Sequence, residues 1–252
     1  MKPLNDIAAR RPNVIPLWIK LAFTAFMAVM IPYYWWAYGP ANFLYFCDVA
    51  MIITLVALWT ESRFLASLQG VGILLPQTLW VIDFALRGLT GTSLLGLADY
   101  MYNPSLPLFV RALSSFHGWL PLLLLFMLAR LGYDRRALLA QVACGWLLLL
   151  VCFFFTAPPP APAHDPHAAV NVNYVFGLGA EVQAWMAPGL WVATLMAVLA
   201  VCIYFPTHLV LARAFGRCGT GGTVAQAGAA SSSETVGIGT DRVAAPGVPL
   251  AR

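Results

Sequence analysis

Residues 42–59 read NFLYFCDVAMIITLVALW, an apolar run long enough to cross a bilayer that contains one acid, Asp48, beside a thiol, Cys47. A carboxylate in the hydrocarbon region of a membrane is costly and needs a partner, and such residues generally mark functional sites. This stretch therefore predicts a membrane-spanning helix, and its acid is the feature around which we expect the rest of the chain to be organised.

The composition predicts a membrane protein. The chain has 252 residues, of which 61% are hydrophobic and 10% are charged, whereas a soluble domain carries about 25% charged residues. The basic residues lie between apolar runs and not in one block, which argues against nucleic-acid binding. The phosphate-loop, nucleophile-elbow, zinc-protease and dinucleotide signatures are absent from the sequence, so a soluble enzyme and a cofactor are not expected.

Six apolar runs are long enough to span a bilayer, given that about 20 residues are needed. They are residues 15–38, 41–60, 64–86, 107–130, 137–157 and 185–212. The predicted fold class is all-α, a polytopic transmembrane helix bundle. Residues 1–14 form the predicted N-terminal segment, 15–212 the six-span domain, and 213–252 a tail that is rich in Gly, Ala, Ser and Thr and expected to be disordered.

The basic residues predict the orientation. With six spans, one side of the membrane receives ten Lys and Arg residues and the other receives two, Arg87 and Arg111. Because cytoplasmic loops carry the excess of Lys and Arg, both termini are predicted to be cytoplasmic. The ten are Lys2, Arg10, Arg11, Lys20, Arg63, Arg130, Arg135, Arg136, Arg213 and Arg217.

In this orientation the ionisable groups within the spans gather in the outer half of the bilayer. Asp48 lies roughly 10 Å below the outer boundary and Arg111 roughly 7 Å below it, at 1.5 Å per helical residue, while His117 lies deeper. Asp83 and Arg87 are four residues apart and can pair along one helix face. Asp48 and Arg111 are then the best pair between helices. Such a pair either clamps two helices together or forms part of a polar pocket open to the outer leaflet.

Cys47 and His117 are the candidate catalytic residues. A cysteine in an apolar run is usually a small hydrophobic side chain, and a histidine there is often a satisfied core residue. The alternative is that Cys47 is a nucleophile and His117 an acid or base. His164 and His167 on a proline-rich loop are too few ligands to predict a metal site.

Several stretches between residues 15 and 213 resemble a family of uncharacterised bacterial integral membrane proteins labelled as membrane-associated. These stretches are YGPANFLYFCD at 38–48, GLADYMYNP at 96–104, RLGYDRRAL at 130–138, NVNYVFGLG at 171–179 and FPTHL at 205–209. This resemblance implies a bacterial host and therefore a location in its inner membrane. Cys47 followed by a polar residue, a later span with His117, and the Asn-x-Asn-Tyr loop also resemble the YwaF-like integral membrane family. That family is related to a transmembrane acyltransferase that acts on ether phospholipids.

The second resemblance implies that Cys47 is the acyl acceptor and His117 the base. The expected function is acyl transfer to, or ester cleavage of, a membrane lipid, with Asp48, Arg111 and Asn173 as substrate-binding residues and with Arg111 or Asn173 as donor to the oxyanion. The alternatives are a non-catalytic scaffold for an unidentified membrane partner or a homo-oligomer, and a small transporter that uses Asp48 as its ion site.

Overall fold

Eight α-helices make up most of the described part of the computed structural model, residues 14–164 and 168–216. Three short 3₁₀ turns and a single β-bridge, between Ala157 and Val170, accompany them. The helices are α1 Leu17–Tyr38, α2 Phe46–Thr60, α3 Arg63–Thr90, α4 Leu108–Ser114, α5 Phe116–Leu131, α6 Ala137–Phe155, α7 Pro188–Val198 and α8 Phe205–Phe215. The 3₁₀ turns are Pro40–Leu44, Asp99–Tyr102 and Val172–Tyr174.

Within residues 14–164 and 168–216, five helical segments are long and apolar enough to cross a membrane. They are α1, α3, α4 with α5, α6, and α7 with α8. The second predicted span, residues 41–60, corresponds to α2, which has only 15 residues. It therefore extends roughly 22 Å where the hydrocarbon core measures about 30 Å. The 3₁₀ turn Pro40–Leu44 precedes it. The predicted all-α bundle of about six spans is confirmed, while most of 1–14 and 213–252 lies outside the described residues.

Helix α3 is the centre of the bundle, in contact with α2, α5, α6 and α8. Its buried stretch includes Ser67, Gly70 and Gly72. An added Cβ at Gly70 would lie 3.0 Å from Leu128 on α5, and one at Gly72 would lie 2.6 Å from the amide nitrogen of Gln141 on α6. Small residues allow such close approach of helices, which explains why α3 and not α2 occupies the centre.

The basic helix ends meet at one end of the bundle. Lys20 near the start of α1 forms an ion pair of 2.8 Å with Glu61, which follows α2. The backbone N–H of Asp134, between α5 and α6, donates to Ser67 Oγ near the start of α3 over 2.9 Å. The backbone N–H of Tyr133 donates to the carbonyl of Phe215 at the end of α8 over 3.3 Å.

Asp83 organises the loop that follows α3 at the opposite end. Its Oδ1 accepts backbone N–H groups of Leu94 at 2.7 Å and Leu95 at 2.8 Å, and its Oδ2 accepts that of Ala98 at 3.1 Å. The predicted pairing of Asp83 with Arg87 is wrong: Arg87 lies 3.8 Å from Asp99. The reason is that the loop folds back over α3 and offers Asp83 three backbone donors.

The last span is interrupted by a π-helical segment, Leu199–Tyr204, between α7 and α8. Pro206, two residues after the end of this segment, has no N–H, so the carbonyl four residues before it has no helical donor. Widening of the backbone is one response to such a missing bond, and π segments are frequent at functional sites. Leu199 and Tyr204, five residues apart, both line the cavity described below.

Candidate functional site

A cavity of about 560 Å³ lies between the helices on the side away from the basic helix ends. Its walls come from α1, α2, α3, α5 and the last span. Leu97 and Tyr100 of the loop held by Asp83 border it, as do Asn173 and Tyr174 of the loop that precedes α7. Its volume falls in the range of small-molecule sites, about 300–1,000 Å³.

Four of the five predicted site residues line this one cavity: Cys47, Asp48, His117 and Asn173. Arg111 does not belong to its lining. Residues separated by up to 126 positions in the chain are therefore brought together, as the depth argument from the sequence suggested for Asp48 and His117.

Asp48 is buried, with 3% of its surface exposed, near the start of α2. Its Oδ2 accepts a hydrogen bond of 3.0 Å from Nδ2 of Asn42. Its Oδ1 is buried and has no hydrogen-bond partner in the described part of the chain. A buried polar atom without a hydrogen-bond partner needs an explanation, and one explanation is that a bound molecule supplies the partner.

The predicted Asp48–Arg111 pair is wrong. Nη1 of Arg111 donates to the carbonyl of Met101 over 3.3 Å, and its Nε has no partner among the described residues. The physical reason is the interruption of the helix at Ser115, which separates α4 from α5. Arg111 therefore turns toward the loop that contains the 3₁₀ turn Asp99–Tyr102, and not toward α2.

His117 is held by its ring nitrogen Nδ1, which lies 2.8 Å from the carbonyl oxygen of Ser114. A carbonyl only accepts hydrogen bonds, so Nδ1 carries a proton, and in the neutral ring Nε2 has the free lone pair. The ring stacks on Phe116, at 4.1 Å between centroids, and on Trp80, at 5.0 Å. These contacts fix the orientation of the imidazole ring at the cavity wall.

Cys47 is a free, half-buried thiol at the cavity wall. Within the described residues, no hydrogen bond joins its Sγ to the ring of His117. The two groups therefore share a cavity without forming the nucleophile–base contact of an assembled catalytic pair, although such contacts often tighten only when substrate is bound.

The amide of Asn173 is already engaged. Its Nδ2 donates to the carbonyl of Leu44 at 2.8 Å and to Sγ of Cys152 at 3.3 Å, and its Oδ1 accepts the backbone N–H of Phe46 at 3.0 Å. Because both amide hydrogens are directed at protein acceptors, none is left for an oxyanion. In this geometry Asn173 fastens its loop to the start of α2.

Among the lining residues that sequence reasoning missed are Gln77, Trp80 and Tyr100. Gln77 is buried, and neither of its amide atoms has a partner in the described chain. An uncharged amide in the middle of an apolar span was a usable signal. Tyr100 could not be found in this way because it lies in a loop. Burial raises the pKa of Tyr100 well above its ordinary value, so its phenol stays protonated at neutral pH.

A second, apolar groove of about 290 Å³ adjoins the cavity between α2, α3 and α6. Phe46 and Ile73 line both spaces. Leu147 lines the groove and is 63% exposed, so the groove reaches the outer surface of the bundle. The cavity thus borders on a lateral apolar space of the kind that a hydrocarbon chain fills.

Comparison of the chain with models of protein families, with curated proteins and with solved structures finds no match.

Proposed function

We propose that this protein binds a membrane lipid, with the polar part of the lipid in the cavity and a hydrocarbon chain in the adjoining groove. The observation that carries this proposal is that Oδ1 of Asp48 and both amide atoms of Gln77 have no hydrogen-bond partner among the described residues, in the wall of a cavity otherwise lined mainly by aromatic and aliphatic groups. Binding pockets for small molecules have this character, with few polar groups on an apolar surface.

The groove supports a lipid over a water-soluble ligand. Leucine, isoleucine, valine and phenylalanine side chains make up most of its lining. Since it meets the cavity at Phe46 and Ile73, a molecule with its polar end beside Asp48 can place its chain there without crossing the bundle. A membrane molecule can enter this space from the side.

We place the cavity in the outer half of the bilayer, with both termini in the cytoplasm. The basic residues Arg63, Arg130 and Arg213 lie at the helix ends opposite to the cavity, and such residues prefer the cytoplasmic side. Reporter fusions in the loop between α5 and α6 test this orientation, which requires that loop to be cytoplasmic.

Lipid binding is tested by measuring the lipid that co-purifies with the protein. Gln77→Leu removes the amide from the cavity with little change in volume and should reduce the bound lipid. Thr78→Val is the matched control, because Thr78 is the next residue, is exposed, and donates to Leu74 of its own helix. Equal amounts of lipid in wild type and Gln77→Leu would contradict the proposal.

The enzymatic reaction that we propose for this site is acyl transfer to, or ester cleavage of, the bound lipid. The orientation of His117 favours it, since Nε2 is available to take the thiol proton of Cys47. The thiolate would attack the ester carbonyl to form a thioester, and the departing alkoxide would recover the proton from His117. Attack by water would complete cleavage, and attack by a second hydroxyl would complete transfer; either one restores the thiol.

Turnover of an ester-labelled phospholipid tests this chemistry. Cys47→Ser and His117→Gln should each abolish turnover, and Cys202→Ser, which changes an exposed cysteine, should not. Retained turnover in Cys47→Ser would exclude the thioester route. If lipid binds but is never altered, the scaffold alternative is favoured.

A further inference from the structure

The charge and the aromatic surface of the cavity indicate the class of ligand that it binds. Among the described residues that line it, Asp48 is the one acid, and neither Lys nor Arg is present. Arg111, the nearest basic residue suggested by the sequence, contacts Met101 instead. An anionic group such as a phosphate or carboxylate placed beside Asp48 would meet a carboxylate without a basic side chain to balance it.

The aromatic lining of the cavity favours a cation. Aromatic residues from at least five different parts of the chain line this space, including Tyr34, Tyr45, Trp80, Tyr100 and Tyr174. The faces of aromatic rings attract cations, with Trp the strongest, and aromatic cages are the usual recognition device for ammonium groups. These rings and Oδ1 of Asp48 therefore both favour a cationic ligand.

We propose that the molecule held in the cavity carries an ammonium group on a long hydrocarbon chain, with the nitrogen beside Oδ1 of Asp48. This inference rests on the proposed lipid-binding function and specifies its headgroup. Asn42 occupies Oδ2 of Asp48, so Oδ1 is the oxygen left to face the cation. The amide oxygen of Gln77 is a further acceptor for an N–H or for the first methylene groups.

Two kinds of molecule carry such an ammonium group: a lipid with a zwitterionic headgroup and a simple cationic amphiphile. Four probes with one chain length separate them: hexadecyltrimethylammonium, hexadecylphosphocholine, hexadecanol and hexadecyl sulfate. Each is titrated, below its micelle concentration, into the full-length protein in a non-ionic maltoside detergent. Native mass spectrometry then measures the fraction of protein that carries one bound amphiphile.

The expected result is that hexadecyltrimethylammonium binds the wild-type protein about tenfold more tightly than hexadecanol, the size of effect that a desolvated cation–aromatic contact gives. Asp48→Asn should remove this preference. Asp99→Asn should retain it, since Asp99 is a carboxylate at the same end of the bundle that does not line the cavity. Equal binding of hexadecylphosphocholine identifies a zwitterionic lipid as the source, and weaker binding identifies a simple cation.

Two outcomes overturn the inference, and they are distinct. If hexadecanol or hexadecyl sulfate binds as well as the ammonium probe, the headgroup assignment is wrong while lipid binding stands. If none of the four probes binds, the lipid-binding function itself is wrong. Both decisions rest on the wild-type protein, so they hold even if Asp48→Asn does not fold.

Discussion

The ammonium group of Lys20 lies 2.8 Å from Oε1 of Glu61 and joins the start of α1 to the end of α2. The same carboxylate accepts the backbone N–H groups of Val14 and Ile15, each at 3.1 Å. Lys20 is only 4% exposed. One carboxylate therefore neutralises a buried cation and also fixes the backbone that leads into the first span.

Glu61→Gln should destabilise the protein by about 2 kcal/mol, because it leaves the buried charge of Lys20 without a counter-charge; the figure is below that for a fully buried pair since Glu61 is partly exposed. Thermal unfolding in detergent measures this loss. Asp99→Asn is the control: it breaks the exposed 3.8 Å pair with Arg87 and should change stability by less than about 0.5 kcal/mol. Equal effects of the two variants would contradict the assigned role of Glu61.

Stability should fall in acid through Glu61 and Asp134. Burial alone raises the pKa of Glu61, but hydrogen bonds from Lys20, Ile15 and Val14 lower it by more, to below its ordinary value of 4.5. The hydrogen bond from Arg136 lowers the pKa of Asp134 below 3.8. A lowered pKa stabilises the folded state above the unfolded pKa, and this stabilisation is lost as the pH falls through the folded pKa.

The midpoint of thermal unfolding should therefore be flat near neutral pH and decrease below about pH 4.5. In Glu61→Gln with Asp134→Asn, the acid decrease should be smaller than in the wild type. If the unfolding midpoint of the double variant decreases in acid as much as that of the wild type, other groups are responsible for the pH dependence.

Asp83→Ala should release the loop after α3. Three backbone N–H groups, those of Leu94, Leu95 and Ala98, lose a charged acceptor. Since each hydrogen bond to a charged group contributes about 1.5–3 kcal/mol, exchange of these amide hydrogens should be at least about tenfold faster. Hydrogen exchange with mass spectrometry measures the effect. Arg87→Gln, which removes the exposed pair and spares Asp83, should leave the exchange unchanged.

Asn173→Ala should cost about 3 kcal/mol, because it removes three hydrogen bonds and leaves the N–H of Phe46 and the carbonyl of Leu44 without their partner. Asn173 also has a left-handed backbone, with φ of 58°. Asn173→Gly should therefore be less destabilising than Asn173→Ala by about 1 kcal/mol. If the two variants unfold at the same temperature, the backbone at this position is not strained.

Gly145→Ala should destabilise the packing of α6 against the last span by about 1–3 kcal/mol, the usual range for overpacking. The added Cβ would lie 2.6 Å from Oη of Tyr204, whose ring is buried and cannot easily move. Gly118→Ala is the matched control, because an added Cβ there meets no atom within 4 Å in the described structure. It should be neutral or slightly stabilising, as expected for Ala in a helix. Comparable losses in both variants would contradict close packing at Gly145.

Part of the site could be predicted from local sequence alone. Asp48 and His117 were identifiable because ionisable groups are rare in apolar runs. Their neighbours were not identifiable in the same way. Asn42 as partner of Asp48 follows from the 3₁₀ turn Pro40–Leu44, and the apolar run gave no sign of that turn.

What the sequence by itself determined is the all-α class and the approximate positions of the spans. Each of these depends on the transfer of a local run of side chains from water to hydrocarbon, and that free energy is summed over neighbours in the chain. What only the tertiary structure decided is the central place of α3, the separation of Arg111 from Asp48, and the cavity itself. These depend on how each helix is rotated about its axis. That rotation is set by packing between residues far apart in the chain, such as Gly72 with Gln141 and Asn173 with Leu44.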